Sequence, residues 1–506
     1  MKKNDSETEF RQMIEATEDS QRPDAVAGRQ SMGYRTARGN LADLCDPGSF
    51  IEYGQLAVAA QRQRRSLDDL RAKTPADGVL TGLATINSDL FGDDACQAAV
   101  IINDYTVLAG TQGYFHHKKL DRILGIAARQ GLPVVMYTEG GGGRPGDTDV
   151  TTQIAGLNLT TFALWAGLAG KIPRIAVSNG FCFAGNAALF GCADIRIATC
   201  SSWIGMAGPA MIEGGGLGNF KPTEIGPVDV QARNGVVDLI ADNESEATRS
   251  ARQLLGYFQG EAGEYDFADQ AGLESFMPAD RRFSYHVRQV IRTLADTGSF
   301  LELTPDFGPA VVTGFLRIEG KPMGVVANDC RVLGGAIDSD ASRKASRFMR
   351  LCNNFGIPLL SLCDTPGFMV GPGSEKEGAV QHMSELFVAG AQLSVPLVTI
   401  FLRKAYGLGA MAMAGGGFQQ PVFAASWPTG EFGGMGLEGA VKLGYRKELE
   451  AETNLEKREA LFDSLLSSLY EKGKAIEAAR HLEIDAVIRP ADTRRHVLHA
   501  LGAAGI

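Results

Sequence analysis

The sequence predicts an α/β protein built from one structural unit used twice, and three observations lead to this fold class. Residues 395–402 are an apolar stretch typical of a buried strand, and the glycine turn RKAYGLGA follows at 403–410. Residues 172–188 repeat this order, with a proline-led apolar strand, a glycine turn and the small residues of a helix start. The spacing is also similar, because 40 residues separate Pro133 from Pro173 and 38 separate Pro358 from Pro396.

The first half is expected to begin with a polar N-terminal extension over residues 1–30, which we expect to be frayed or loosely helical. Hydrophobic periodicity and turn residues then place the elements of this half in order. The predicted helices cover 36–45, 61–73 (a charged helix), 118–131 and 244–256, and the predicted strands cover 50–53, 79–86, 98–104 and 132–137. A glycine-rich turn is expected over 139–144 and a flexible glycine segment over 213–218.

The second half is expected to restart at residue 299, because 299–302 repeats the Ser-Phe-x-Glu pattern of 49–52. The other predicted elements are a connecting helix within 280–297, strands over 311–318 and 323–328, a helix over 341–355, a strand over 357–362, a C-terminal helix over 447–480, a strand over 484–488 and a helix over 493–500. These elements divide the chain into three predicted segments, namely the extension over 1–30, a domain over 31–280 and a domain over 281–506.

Composition narrows the class of protein. The 506 residues are 44% hydrophobic, so both halves can bury a core, and the formal net charge of −10 argues against nucleic acid or a membrane as partner. The eight cysteines form no CxxC pair, which favours a reducing compartment. We found no signal-peptide pattern and no run of transmembrane length, and we therefore expect a cytoplasmic protein.

The glycine turns are the candidate chemical sites. A strand, a glycine turn and a helix start leave backbone N–H groups free to bind an anion or a carbonyl oxygen that becomes one. The alternative is a tight turn that only requires glycine. Two such turns and no obvious side-chain nucleophile favour enolate chemistry on thioesters, in which each turn stabilises one anionic oxygen.

Other common catalytic motifs do not account for the sequence. The segment GGGGRPGD at 140–147 lacks the GK[ST] ending of a Walker loop, and neither a GxSxG elbow nor an HExxH helix occurs. His496 and His499 have a spacing that could bind a metal, but no third ligand is evident. We therefore predict no metal site.

Four segments carry a resemblance to a known family. They are DASRKASRF at 340–348, DTPGF at 364–368, RKAYG at 403–407 and WPT at 427–429. Over about residues 30–500 the chain resembles the carboxyltransferase (beta) subunits of biotin-dependent acyl-CoA carboxylases, such as propionyl-CoA and methylcrotonyl-CoA carboxylase. The resemblance implies two crotonase-like domains in tandem, each a spiral of ββα units, and an active site that joins opposite halves of two chains in a dimer.

The resemblance also implies the site residues. The first oxyanion pair falls at Ala184 and Gly185, where the family usually has Gly-Gly, and would hold the thioester enolate. The second falls at Leu408 and Gly409, where the family usually has Gly-Ala, and would hold the biotin ureido oxygen. The implied cofactor-binding residues are Gly140, Gly141, Gly142, Arg144, Pro366, Gly367, Phe368, Tyr406 and Gly407.

The acyl pocket is implied at Ala410 and Met411, because the family position two residues after Gly409 lines it. Met411 could form a hydrophobic pocket with Phe401, Met413 and Phe418, or it could only pack its helix against neighbouring residues.

The resemblance names the reaction and the partners. The chain would move a carboxyl group from carboxybiotin to the α or vinylogous γ carbon of an acyl-CoA. Its partners would be the acyl-CoA, a biotin carboxylase, a biotin carboxyl carrier and further copies of itself, with a dimer as active unit and a hexamer as assembly. Three alternatives stay open at this point, namely an acyl-CoA decarboxylase subunit, a crotonase-type hydratase or isomerase, and a scaffold that has lost catalysis.

Overall fold

Two mixed β-sheets with the same strand order form the framework of the protein. The computed structural model describes residues 3–150 and 156–504, so the ends of the chain and a short part of the first predicted repeat lie outside the described residues. The chain divides into unit 1, Met1–Gly260, and unit 2, Glu261–Ile506. The division into functional domains at residue 280 stays a prediction.

Unit 1 contains a seven-stranded sheet and a two-stranded sheet. The large sheet has the order β1-β2-β3-β4-β5-β7-β9, in which β1, β2 and β3 pair antiparallel and the remaining neighbours pair parallel. Strands β6 and β8 pair parallel with each other. The strands are β1 (Ile51–Glu52), β2 (Val79–Thr85), β3 (Gln97–Asn103), β4 (Val134–Tyr137), β5 (Arg174–Ser178), β6 (Phe181–Phe183), β7 (Ile195–Thr199), β8 (Trp203–Gly205) and β9 (Leu239–Ala241).

The helices of unit 1 cover this framework. Helix α6 packs on β2 and β3, and its buried residues include Leu120, Ile123 and Leu124, which share a core with Trp165 and Phe190. The helices are α1 (Lys3–Glu15), α2 (Pro23–Ser31), α3 (Ala37–Leu44), α4 (Leu67–Lys73), α5 (Ser88–Phe91), α6 (Tyr114–Gln130), α7 (Thr161–Gly167), α8 (Gly185–Gly191), α9 (Pro209–Gly214), α10 (Val228–Arg233) and α11 (Glu244–Gln259).

Unit 2 repeats the sheet of unit 1. Its strands run in the order β10-β11-β12-β13-β14-β15-β17, with β10, β11 and β12 antiparallel and the later neighbours parallel, and β16 pairs with β14. The same order and the same change from antiparallel to parallel pairing support the predicted duplication. The strands are β10 (Leu301–Leu303), β11 (Val311–Ile318), β12 (Lys321–Asn328), β13 (Leu359–Thr365), β14 (Leu397–Tyr406), β15 (Phe423–Ser426), β16 (Glu431–Gly433) and β17 (Ala486–Val487).

The helices of unit 2 also follow the pattern of apolar residues. In α12, four apolar residues recur on one face, and all four are buried: Val287, Val290, Ile291 and Leu294. The helices are α12 (Val287–Leu294), α13 (Ser339–Asn354), α14 (Pro372–Lys376), α15 (Ala379–Ala391), α16 (Gly407–Met413), α17 (Leu437–Gly444), α18 (Arg446–Ala451), α19 (Leu455–Lys472), α20 (Ala475–Arg480) and α21 (Thr493–Ala503).

Besides the charged helix expected over 61–73, which begins only at Leu67, three predicted boundaries differ from the structure. The segment 403–406, expected as part of a turn, continues strand β14, because its backbone pairs with β16. Residues 181–183, expected near a helix start, form β6 and pair with β8. The expected helix over 447–480 is three helices with breaks at Glu452–Asn454 and Gly473–Lys474. The segments 403–406 and 181–183 are strands because each pairs with another strand later in the chain. The pattern of apolar residues within a segment does not reveal such a partner.

A pair of glycines shows how closely the repeated strands pack. A Cβ added at Gly82 would lie 2.4 Å from the Ile51 carbonyl oxygen and 2.4 Å from a ring carbon of Phe50. A Cβ added at Gly314 would lie 2.4 Å from the Leu301 carbonyl oxygen. In both units the strand that carries the Ser-Phe-x-Glu pattern therefore crosses over a glycine.

We expect Gly82→Ala and Gly314→Ala each to lower the free energy of unfolding by about 1–3 kcal/mol, because overpacking forces the edge strand away. Gly125→Ala is the matched control, since Gly125 lies inside α6 and its added Cβ would meet only the end of Arg129, at 3.5 Å. That change should be neutral or stabilising. Urea unfolding of the three variants tests this, and equal stabilities would contradict it.

Candidate active site

The glycine loop of unit 1 follows strand β4 and lies against the start of α8. Gly142 has a φ of 89°, and a Cβ added to it would lie 2.7 Å from Ala184 Cβ and 3.5 Å from Gly185 N. Both the backbone angle and the close approach require glycine at this position. The fold therefore brings two of the segments implied by the resemblance, 140–144 and 184–185, into direct contact.

Of the two backbone donors implied at this contact, Ala184 and Gly185, only Gly185 has a free N–H group within the described residues. The Ala184 N–H donates to the Gly205 carbonyl at 3.0 Å, so it is not free for a ligand. The Gly140, Gly141 and Gly142 N–H groups are also bonded within the protein. Within the described residues, the Gly143 and Gly185 N–H groups have no acceptor. These two N–H groups are the candidate oxyanion donors of unit 1.

Ala184 has an unusual backbone conformation. Its φ of 51° and ψ of −119° lie in a region that favours glycine, and non-glycine residues there cost about 1–3 kcal/mol. This conformation explains why a glycine suits the position, as the resemblance implies. The strain falls at the turn that places Gly185 at the start of α8.

Arg144 lies beneath the glycine loop in a buried ion-pair cluster. Its guanidinium donates to Asp77 at 2.6 Å and to Asp147 at 2.9 and 3.0 Å. Its side chain is only 4% exposed. Burial raises the pKa of Asp77, although Arg144 opposes the effect. The Arg144 side chain therefore fixes the end of the loop to the protein, and the cofactor-binding role implied for it stays a prediction.

A second buried cluster holds the beginning of the loop. Arg29 from α2 makes a bidentate ion pair with Glu139, and Glu244 from α11 lies 3.7 Å from the same guanidinium. The Arg29 guanidinium also lies over the rings of Tyr34 and Tyr105. Burial raises the pKa of Glu139, although Arg29 opposes the effect, and burial raises the pKa of Glu244 to about 7. Two carboxylates therefore share one arginine in a buried site.

The candidate site of unit 2 has a similar contact between two backbone segments. A Cβ added at Gly409 would lie 2.7 Å from Gly367 Cα and 3.0 Å from Phe368 N. Gly367 is fixed by hydrogen bonds with the Thr365 hydroxyl and with Ile337 N–H. The Phe368 N–H has no acceptor within the described residues, and the first N–H groups of α16 have no partner inside their helix. Two other residues that the resemblance implies lie nearby. Pro366 directly precedes Gly367, and Leu408 directly precedes Gly409 and has an exposed side chain.

A cavity of 370 Å³ lies next to this contact in unit 2. Its apolar walls include Met411, Phe418 and Phe432, and Gly407 also lines it. Its polar lining residues are Lys472, Glu477, His481 and Glu483. Ala410, which the resemblance places in the acyl pocket, is fully buried and is not among the lining residues, and Phe401 and Met413 are also fully buried.

The other side chains of this region support the same walls. The Phe401, Phe418 and Phe432 rings pack edge to face. The Tyr406 hydroxyl donates to Glu431 at 2.9 Å, and burial raises the pKa of Tyr406.

Among residues 3–150 and 156–504, no three His, Cys, Asp or Glu side chains are placed to bind a metal. No helix in this part of the chain is both long and apolar enough to span a membrane.

Comparison with known proteins identifies the family. A family model described as the carboxyl transferase domain matches residues 29–504. The chain belongs to the carboxyl transferase domain family. This carboxyltransferase is 34% identical over 502 residues to the propionyl-CoA carboxylase beta chain of Saccharopolyspora erythraea, and the alignment covers 94% of this chain and 89% of that protein. The resemblance drawn from the sequence motifs is thereby confirmed.

Two solved structures share the fold over 99% of this chain. One is a single-chain, multi-domain long-chain acyl-CoA carboxylase, which is 52% identical with a TM-score of 0.93. The carboxyltransferase described here covers 49% of that chain, so it spans about half the length of that protein. The other is a transcarboxylase 12S with methylmalonyl-CoA bound, which is 29% identical with a TM-score of 0.85 and is covered over 94% of its length.

These neighbours confirm the predicted fold class of two crotonase-like domains in tandem and an enzyme of the carboxyltransferase type. The roles of individual residues stay predictions. Sequence reasoning missed Gly143, Asn186 and Arg29 as residues of the site. Only Asn186 had a local signal, because it is the one polar side chain in the small apolar helix α8.

The carboxylate cluster of this carboxyltransferase predicts a pH dependence of stability. Because the folded-state pKa of Glu244 lies above its ordinary value of 4.5, its contribution is greatest below about pH 4.5 and is lost as the pH rises to about 7. The stability of the wild type relative to Glu244→Gln should therefore fall between pH 5 and 7, by at most about 1.4 kcal/mol per pH unit. Urea unfolding at pH 5, 6, 7 and 8 measures it.

The control for this measurement is Glu213→Gln, an exposed carboxylate in α9. Its stability relative to the wild type should stay level across the same pH range. If the difference in free energy of unfolding between the wild type and Glu244→Gln also stays constant from pH 5 to 8, Glu244 is not the titrating group.

Proposed function

We propose that this chain is the carboxyltransferase component of a biotin-dependent acyl-CoA carboxylase. The observation that carries the proposal is the repeated contact between a glycine loop and a helix start, once in each unit, with N–H groups that have no acceptor in the described residues. A reaction that must stabilise two enolate-like oxygens uses two such sites. The family of the chain and its relatives support the same reaction class.

In unit 1, the Gly143 and Gly185 N–H groups would hold the thioester oxygen of an acyl-CoA. Backbone donors that are already oriented stabilise negative charge as it develops, and one donor contributes about 3–4 kcal/mol to the transition state. Gly140 and Gly142 let the loop pack closely against Asn186 and Ala184, which holds these donors at the start of α8. The transcarboxylase 12S, whose structure contains methylmalonyl-CoA, supports a CoA thioester as the substrate here.

In unit 2, the Phe368 and Gly409 N–H groups fit a ureido carbonyl oxygen. Their donor character and the close approach at Gly409 suit an acceptor that gains negative charge. These residues would hold the ureido oxygen of carboxybiotin, which would supply the carboxyl group and take up the α-proton that this group replaces on the substrate. Tyr406 and Gly407 lie just before the Gly409 donor in the chain, and the hydrogen bond to Glu431 orients the Tyr406 ring.

The biotin carboxylase and the biotinylated carrier would be supplied from outside these 506 residues. The 506 residues contain no Met-Lys-Met tripeptide, which is the usual context of a biotin-accepting lysine. The active form would be a homo-oligomer with a dimer as its active unit, and the hexameric transcarboxylase 12S supports a hexamer. We place the protein in the cytoplasm, where its cysteines would stay reduced.

The direct test supplies the purified protein with a biotin carboxylase, a biotinylated carrier, ATP, bicarbonate and a series of acyl-CoA substrates. We expect labelled bicarbonate to enter the acyl-CoA only when the carrier is present, and a streptavidin blot of the protein alone should be blank. Loss of carboxyl groups from a malonyl-CoA-type substrate without the forward reaction would favour a decarboxylase subunit. Carrier-independent hydration of an enoyl-CoA would favour the hydratase, and no activity would favour the scaffold.

We also propose that the acyl chain enters the cavity of unit 2 of the partner copy in the dimer, while its thioester lies in unit 1. The cavity's apolar wall of Met411, Phe418 and Phe432 suits an aliphatic group, and its volume of about 370 Å³ lies within the range of small-molecule sites. The neighbouring structure described as a long-chain acyl-CoA carboxylase supports a long acyl chain.

Met411→Asp should penalise longer apolar acyl chains more than acetyl, because each buried methylene contributes about 0.8 kcal/mol, or about fourfold in selectivity. The measurement is kcat/KM for acetyl-, propionyl- and butyryl-CoA. Val388→Asp, an exposed change in α15 away from the cavity lining, is the matched control. An equal loss on all three substrates would mean that Met411 only packs its helix.

A further inference from the structure

Asn186 is a fully buried amide beside the candidate oxyanion donors of unit 1. It occupies the second position of α8, directly after Gly185, in a helix whose other residues are glycine, alanine, leucine and phenylalanine. A buried polar side chain must form hydrogen bonds to offset the loss of water. Its partners therefore show what it does.

All three partners of the Asn186 side chain are backbone groups of other segments. Its Oδ1 accepts from the Gly142 N–H at 2.9 Å. Its Nδ2 donates to the Gly110 carbonyl at 3.3 Å and to the Glu139 carbonyl at 3.4 Å. Because one partner is a donor and two are acceptors, only this orientation of the amide satisfies them.

These bonds connect the two donors of the site through a single residue. Gly185 precedes Asn186 in the chain, and Gly143 follows Gly142, whose N–H the Asn186 side chain binds. The same amide holds the beginning of the glycine loop at Glu139 and its middle at Gly142. A Cβ added at Gly140 would lie 2.3 Å from Asn186 Nδ2, so the loop closes tightly around the amide.

We infer that Asn186 is a positioning residue, which sets the spacing between the Gly143 and Gly185 N–H groups for the thioester oxygen. The inference rests on the proposed function. Asn186 does not touch the substrate. It acts through the glycine loop, and an alanine in its place would leave the Gly142 N–H and the two carbonyls without these bonds.

The test compares kcat, KM for the acyl-CoA and the midpoint of thermal unfolding in the full assay with carrier and biotin carboxylase. Because a misplaced oxyanion donor weakens the transition state more than the ground state, Asn186→Ala should lower kcat about tenfold to a hundredfold and change KM less than threefold. Acyl-CoA binding measured by calorimetry should stay within about threefold of the wild type.

Asn87→Ala is the matched control. Asn87 is also a buried asparagine of unit 1, and its amide donates to Arg252 and Gln259 at 2.9 Å, away from the glycine loop. This variant should lower the unfolding midpoint at least as much as Asn186→Ala and leave kcat within about twofold of the wild type. A kcat that falls in step with the unfolding midpoint in both variants would show a structural role and overturn the inference.

Asn186→Asp keeps the inference falsifiable if the alanine variant does not fold. It has the same shape and retains the acceptor for the Gly142 N–H, but it loses the donors to Gly110 and Glu139. Because a carboxylate oxygen would then face the Gly110 and Glu139 carbonyl oxygens, its kcat should fall at least as far as that of Asn186→Ala. An active wild type with kcat unchanged in the position-186 variants overturns this inference alone, whereas an inactive wild type overturns the proposed function and the inference together.

Discussion

A buried carboxylate at the end of the central strand is the constraint on which both halves of this protein depend. Glu139 follows β4 and Asp364 lies near the end of β13, and each is six residues after the proline that precedes its strand. An ionised carboxylate taken out of water is costly unless a cation and hydrogen bonds compensate it. Each unit therefore needs an arginine at this point.

The two units supply that arginine from different places. In unit 2, Arg403 from the neighbouring strand β14 pairs with Asp364 at 3.0 Å. The equivalent position of unit 1, seven residues after the proline of β5, is Gly180, and a Cβ there would lie 2.5 Å from a Glu139 oxygen. Glu139 instead pairs with Arg29, which comes from the N-terminal helix α2. The polar N-terminal extension thus becomes part of the candidate site in unit 1.

These ion pairs matter because the glycine turns begin where the carboxylates lie. The Lys404 N–H donates to Asp364 at 3.0 Å, three residues before Gly407, and Gly140 directly follows Glu139. A backbone that must offer free N–H groups cannot also use them to hold itself in place. The loop conformation is therefore fixed from outside, by buried arginines, by the Arg144 cluster and by the Asn186 amide.

The sequence by itself determined the duplicated α/β fold, the order of most strands and helices and the family. Apolar strands, prolines and glycines are local signals, and their spacing is repeated in the two halves. Only the tertiary structure decided which N–H groups are free. The sequence places Ala184 beside Gly185 as a donor pair, but whether a backbone N–H is occupied depends on a partner far along the chain, here Gly205. The same reason hid Arg29, since burial and pairing with Glu139 more than a hundred residues away leave no local pattern.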